Sequence, residues 1–232
     1  MSMIEVQLPK SYLREAREAL SVHECMQIYD KWAATYNDEV GDVAQDYVAP
    51  SLVAQAVLRV ANRSPESAAI LDAGCGTGLV GQALATAGAT VIDGFDLSPA
   101  MLAVARETGV YRNLIRGDLT CRIEVADGVY DAVVCVGTFT LGHVGSTPAL
   151  REFARITRTN GIVAATMLEE VWVPGGFQAE VEALVSEGQV AVVFQELIDY
   201  VKGHGDKAML VILKKTLRAE EKGLQSDMED RY

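Results

Sequence analysis

Apolar residues in this chain change their period near residue 65. Before it they recur at helical spacing. Leu13, Ala16 and Leu20, then Ile28 and Trp32, predict a helix over residues 11–37, and a second helical stretch over 51–61 ends at the breaker Asn62-Arg63-Ser64-Pro65. After it, short apolar runs alternate with helical segments. Strands are expected at 68–71, 90–95, 114–115, 131–136 and 162–167, and helices at 79–87, from residue 99 onward, at 148–157 and at 178–187. Ser98 is a good N-cap and Pro99 suits a first helical position, so the helix between the second and third strands has a defined start. Two last runs, 190–201 and 208–215, are joined only by Lys-Gly-His-Gly-Asp-Lys, which forces antiparallel pairing.

Strands alternating with helices define an α/β fold: a mostly parallel sheet with helices on both faces, into which the closing hairpin puts one antiparallel strand. A chain of 232 residues holds this as one domain, with a helical segment over 1–64, a core over 68–216 and a charged, loosely attached tail over 217–232.

Composition narrows the partners. Half of the residues are apolar and 22% are charged, an ordinary globular balance. Twenty basic residues against thirty-two acidic ones leave a net charge of −12, which repels a polyanion over most of the surface and argues against a nucleic-acid partner. Arg151, Arg155 and Arg158, and Lys214 with Lys215, read as solvated helix and strand ends. Cys25, Cys75, Cys121 and Cys135 form no CxxC pair and no histidine stands at ligand spacing, so no metal is expected and the thiols read as free in a reducing compartment. Without a signal-like N-terminus or about 18 consecutive apolar residues, the expected setting is cytoplasmic, with no membrane partner. Oligomeric state leaves no mark on the sequence.

The candidate chemistry sits in ILDAGCGTGLVG, residues 70–81. Gly76, Gly78 and Gly81 spell GxGxxG with Asp96 twenty positions beyond the first, which admits a dinucleotide and hence a nicotinamide-dependent oxidoreductase. The same stretch also reads DxGxGxG through Asp72, Gly74, Gly76 and Gly78. A carboxylate beside the loop suits a ligand bearing an ammonium or sulfonium, whereas a pyrophosphate wants the bare helix N-terminus. S-adenosylmethionine carries such cations together with a small carboxylate. Asp96 and Asp118 end the next two strands, where carboxylates can accept ribose hydroxyls and an adenine amino group.

Four stretches, LDAGCGTG, GFDLSPAMLAVAR, GDL and YDAVVCVGTF, resemble in order and spacing the class I S-adenosylmethionine-dependent methyltransferases, over roughly residues 25–170. YDKWAATYN at 29–37 is similar to the lid helix of the ubiquinone-biosynthesis-like branch, and GTFTLGHV to the Williams–Beuren-region methyltransferase-like branch. The resemblance implies a Rossmann-like seven-stranded sheet in the order 3-2-1-4-5-7-6 with strand 7 antiparallel. It further implies Gly74, Gly76 and Gly78 around the methionine moiety, Asp96 on ribose, Leu97 and Met101 flanking adenine, Asp118 and Leu119 at its edge, and Cys135, Val136 and Gly137 beneath ribose and methionine. The implied activity is methyl transfer to a small-molecule acceptor.

Each candidate also has a plainer reading. Asp72 could cap a turn, and Cys75 reads as a small filler. Trp32 and Tyr36, four apart, either pack a helix on the sheet or cover the cofactor. His143, in a glycine-flanked loop after the fourth strand, is the candidate base or substrate contact, otherwise a packing residue. Trp172 either stacks on an acceptor or anchors its loop, and at most one of Glu169 and Glu170 is expected to point inward. Acceptor choice falls to the N-terminal helices and to residues 138–147 and 169–177. A protein that keeps the cofactor pocket as a regulator, without turnover, remains the alternative to an enzyme.

Overall fold

The computed structural model describes residues 22–40, 46–60 and 63–217, with Tyr12, Glu15, Ala16 and Ala19 before them. The expected tail from residue 218 onward lies outside the described residues. Among the described residues, the helices α1 (Val22–Trp32), α2 (Tyr36–Val40) and α3 (Ala49–Val60) precede the sheet. The expected single helix to residue 37 is interrupted at Ala33–Thr35. There the chain turns so that the Trp32 and Tyr36 rings meet edge to face at 4.6 Å, and the Thr35 hydroxyl donates to Glu39 in the new helix.

Then the alternation begins: β1 (Ala69–Ala73), α4 (Leu79–Thr86), β2 (Val91–Asp96), α5 (Pro99–Glu107), β3 (Asn113–Arg116), β4 (Tyr130–Phe139), α6 (Ala149–Ile156) and β5 (Thr157–Leu168). A four-residue helix α7 (Glu169–Trp172), too short to show a period, precedes α8 (Phe177–Ser186) and the hairpin β6 (Val190–Val201) with β7 (Asp206–Lys215). The sheet order is β3-β2-β1-β4-β5-β7-β6, parallel except for β7, which runs against both β5 and β6. Ser98 caps α5, its hydroxyl accepting from the Met101 amide at 3.2 Å.

From β1 the chain winds one way to β2 and β3, then returns to place β4 on the other side of β1. Right-handed crossovers therefore put α4 and α6 on opposite faces. The C-terminal ends of β1 and β4 form the switch point where this architecture opens a crevice. β1, in the middle, is buried on four of its five positions, as a strand covered on both faces must be. The Phe139 ring meets Phe153 at 6.0 Å and Phe177 at 4.8 Å, tying β4 to α6 and α8. Trp172 is buried in this same core and so anchors its segment.

The arginines are not solvated ends. Arg155, only 12% exposed, binds Glu152, Asp127 and the carbonyls of Ile123 and Val125; Arg158 binds Asp131, and Arg151 binds Glu180 and Glu187. These ion pairs tie helix α6 and the start of β5 to their neighbours. Glu169 and Glu170 are both exposed.

Candidate cofactor and acceptor site

Four loops at the C-terminal ends of β1 to β4 surround one cavity of some 1020 Å³, its solvent-open mouth included. The loop after β1 is stitched to the end of β2: the amides of Gly74 and Cys75 donate to the Phe95 carbonyl at 2.7 and 3.1 Å. Gly74 holds φ +76°, and a Cβ there would stand 2.0 Å from Thr138 Oγ1 on β4, so the position demands glycine on both counts.

Asp96 ends β2 at the cavity wall. Its Oδ2 accepts from the Gly76 amide at 2.8 Å and its Oδ1 from the Ser98 amide at 2.9 Å, which fixes the carboxylate between the glycine loop and the N-terminus of α5. Burial pushes its pKa up, against these amide bonds. Asp118 lies two residues beyond β3. Its Oδ1 accepts from the Thr120 amide and hydroxyl, and Oδ2 has no partner among the described residues.

Of the predicted residues, Tyr36, Gly74, Gly76, Asp96, Leu97, Met101, Asp118, Leu119, Val136, Gly137 and His143 line the cavity. Trp32, Asp72, Gly78 and Cys135 do not. Trp32 is the last residue of α1 and stacks behind the wall against Tyr29 and Tyr12, with 1% of its surface exposed. Gly78 caps α4, and a side chain there would meet Thr108 and Tyr111, away from the cavity. Cys135 is buried inside β4, which continues through Phe139 past a register shift.

Asp72 departs furthest from expectation. It is wholly buried; Oδ2 accepts from the Tyr111 hydroxyl at 2.7 Å, and Oδ1 has no hydrogen-bond partner within bonding distance among the described residues. Desolvation pushes its pKa up to about 7. The folded state therefore holds a proton that the unfolded chain has lost, and stability falls as pH rises between about 4 and 7. Asp72→Asn removes this titration, so the variant's advantage over the wild type should grow across that window, to at most about 4 kcal/mol at 1.36 kcal/mol per unit. Urea denaturation of both proteins over a pH series measures it; parallel curves would contradict it.

Helices α1 and α2 roof the cavity and are tied to its loops. Asp30 accepts from the Ser98 hydroxyl at 3.0 Å, Asn37 from the Thr77 hydroxyl at 2.5 Å, and the Tyr29 hydroxyl lies 3.3 Å from His143 Nε2. The other ring nitrogen of His143 is hydrogen-bonded to Thr140. Residues 46–48 run along the end of β6, with Val48 donating to the Tyr200 carbonyl and Lys202 to that of Asp46. This brings Tyr47 to the cavity wall, its hydroxyl donating to that of Tyr200 at 3.2 Å. Tyr29 and Tyr47 line the wall beyond the predicted set, and Tyr111 and Tyr200 support it from behind. Tyr29 stood within the quoted lid stretch; the others act across long separations and leave no local signal.

A Rossmann-like sheet with antiparallel β7, a bare glycine loop and a carboxylate at the end of β2 define a class. Residues 70–161 match the family described as "Methyltransferase domain", and the fold around them is that of the class I S-adenosyl-L-methionine-dependent methyltransferases. Human "Methyltransferase-like protein 27" is 32% identical over 160 residues, 68% of this chain and 63% of that protein. The "Malonyl-[acyl-carrier protein] O-methyltransferase" of Pectobacterium atrosepticum is 37% identical over 102 residues, 44% of this chain and 39% of the relative. The chain thus spans less than two thirds of the length of either. The crystal structure titled "TehB-like SAM-dependent methyltransferase from Corynebacterium glutamicum" shares the fold, with a TM-score of 0.61 and 22% identity over 82% of this chain and all of that one. Among the described residues, no helix is long and apolar enough to cross a membrane and no cluster of side chains could hold a metal ion.

Proposed function

We propose that the chain transfers a methyl group from S-adenosyl-L-methionine to a small-molecule acceptor by in-line displacement. The observation that carries this reading is the lining of the switch-point cavity. Bare glycine backbone, two strand-end carboxylates, three phenols and an imidazole share that lining. The donor set fits: the amides at the start of α4 can receive a carboxylate, and a diphosphate would meet Asp96 and Asp118 with no lysine or arginine on the described wall.

S-adenosyl-L-methionine, when bound there, supplies an electrophilic methyl on a positively charged sulfur. Asp96 accepts from the ribose hydroxyls through lone pairs its two amide bonds leave over, and Asp118 Oδ2 accepts from the adenine amino group. Leu97, Met101 and Leu119 flank the adenine, Gly74 and Gly76 line the methionine moiety, and Val136 and Gly137 form the floor. Trp32, Asp72, Gly78 and Cys135 act from behind through the contacts described above. Tyr29, Tyr36 and Tyr47 keep water out, so the task is alignment of reacting atoms. For a hydroxyl acceptor, His143 takes the proton at Nε2, its ring held by Thr140. Tyr29 keeps its own proton because burial pushes its pKa well up.

The four cysteines are free, which fits a reducing setting such as the cytoplasm. The test is incubation of the protein and isotope-labelled S-adenosyl-L-methionine with a metabolite extract, followed by mass spectrometry. Label is expected in a low-mass compound. Label confined to protein or RNA would contradict the small acceptor, and no label anywhere would contradict methyl transfer.

A further inference from the structure

The cavity has a charge pattern that restricts its acceptor. Among the described residues, its carboxylates are Asp96 and Asp118, at the ends of β2 and β3, and no lysine or arginine lines it. The same wall also carries Tyr29, Tyr36 and Tyr47 with Met26, Val144 and His143. Burial keeps the three phenols protonated, so they present ring faces and neutral hydroxyls. Tyr47 and Tyr200 bring their hydroxyl oxygens over Gly137, where an added Cβ would stand 3.0 and 3.2 Å from them. The paired hydroxyls thus set a polar point on the wall above a bare backbone floor.

An anionic acceptor would shed its water here facing Asp96 and Asp118, with the donor's sulfur as its one positive neighbour and no lysine or arginine on the described wall to receive it once that charge is lost with the methyl. A cationic one would meet the donor's positive sulfur in the same cavity, and a protonated amine has no lone pair with which to attack. Both costs favour an uncharged molecule.

We infer that the acceptor is uncharged, with an apolar body of ring size seated among Tyr29, Tyr36 and Tyr47, and is gripped at a hydroxyl that donates to Tyr47, which Tyr200 positions. This inference rests on the methyl-transfer reading.

Calorimetry on the full chain saturated with S-adenosyl-L-homocysteine tests it, with 2-naphthol and 2-naphthoate as probes of similar body and different charge. Naphthol is expected to bind about tenfold more tightly or better, the discrimination expected when a buried charge goes unpaired. Tyr47→Phe should cost naphthol about fivefold, the worth of one hydrogen bond, and Val144→Lys should reverse the preference by supplying the missing cation. Equal affinities, tighter naphthoate, or no naphthol binding overturns the inference while homocysteine-product binding stands. Unchanged naphthol affinity in Tyr47→Phe removes Tyr47 from the subsite. Failure of S-adenosyl-L-homocysteine itself to bind overturns the methyl-transfer reading instead.

Discussion

Asp96→Ala lowers the affinity for S-adenosyl-L-homocysteine by about 100-fold or more. The carboxylate organises the site twice over: it holds the Gly76 and Ser98 amides, and it offers its remaining lone pairs to the ribose. Hydrogen bonds to a charged group are worth about 1.5–3 kcal/mol each, so losing two from the ligand removes about 3–6 kcal/mol, or a factor of about 100 to 10,000. Stability should change less, because truncation also relieves a carboxylate whose burial already pushes its pKa up. Asp96→Asn, which retains one acceptor, should fall between. Calorimetric titration of the three proteins reads this directly, and an Asp96→Ala affinity within about threefold of the wild type would remove Asp96 from the cofactor site.

Gly74→Ala should damage both the fold and the site. At φ +76° a Cβ costs about 1–2 kcal/mol in backbone strain. It would also sit 2.0 Å from Thr138 Oγ1, so the end of β4 must move away from the loop. A loss of about 2–4 kcal/mol in urea denaturation is expected, within the range of overpacked and strained positions, with at least about tenfold weaker cofactor binding. Thr138→Ala in the same chain removes the clashing hydroxyl but leaves the strain. The double variant should therefore be more stable than the sum of its single losses, by about 0.5–3 kcal/mol. Strict additivity would mean that the loop does not press on β4.

The core of this fold was legible because its strands are buried runs. A stretch such as Ile70 to Ala73 has no polar face to show, and its glycines and capping serine mark where the chain turns. Strand order came with the family resemblance, since apolar runs alone do not state which strands neighbour one another, whereas the antiparallel strand was legible in the short link of the closing hairpin. The break between α1 and α2 was not legible. Ala33, Ala34 and Thr35 contain no breaker, and the turn is set by rings docking across it. Among the candidate site residues, Asp96 could be found because it stands at a fixed distance beyond the glycines. Asp72 was equally visible as a strand-end acid, yet the fold turns it toward Tyr111, thirty-nine positions away, and off the cavity wall. Tyr47 and Tyr200, 153 positions apart, meet only because residues 46–48 lie along β6.

Calorimetric titration of the wild-type chain with S-adenosyl-L-methionine, and separately with NADH, is the most direct test of what the glycine loop holds. Binding of S-adenosyl-L-methionine in the micromolar range with no heat from NADH is the predicted result; preferential binding of NADH, or no binding of S-adenosyl-L-methionine at high micromolar concentration, would contradict it.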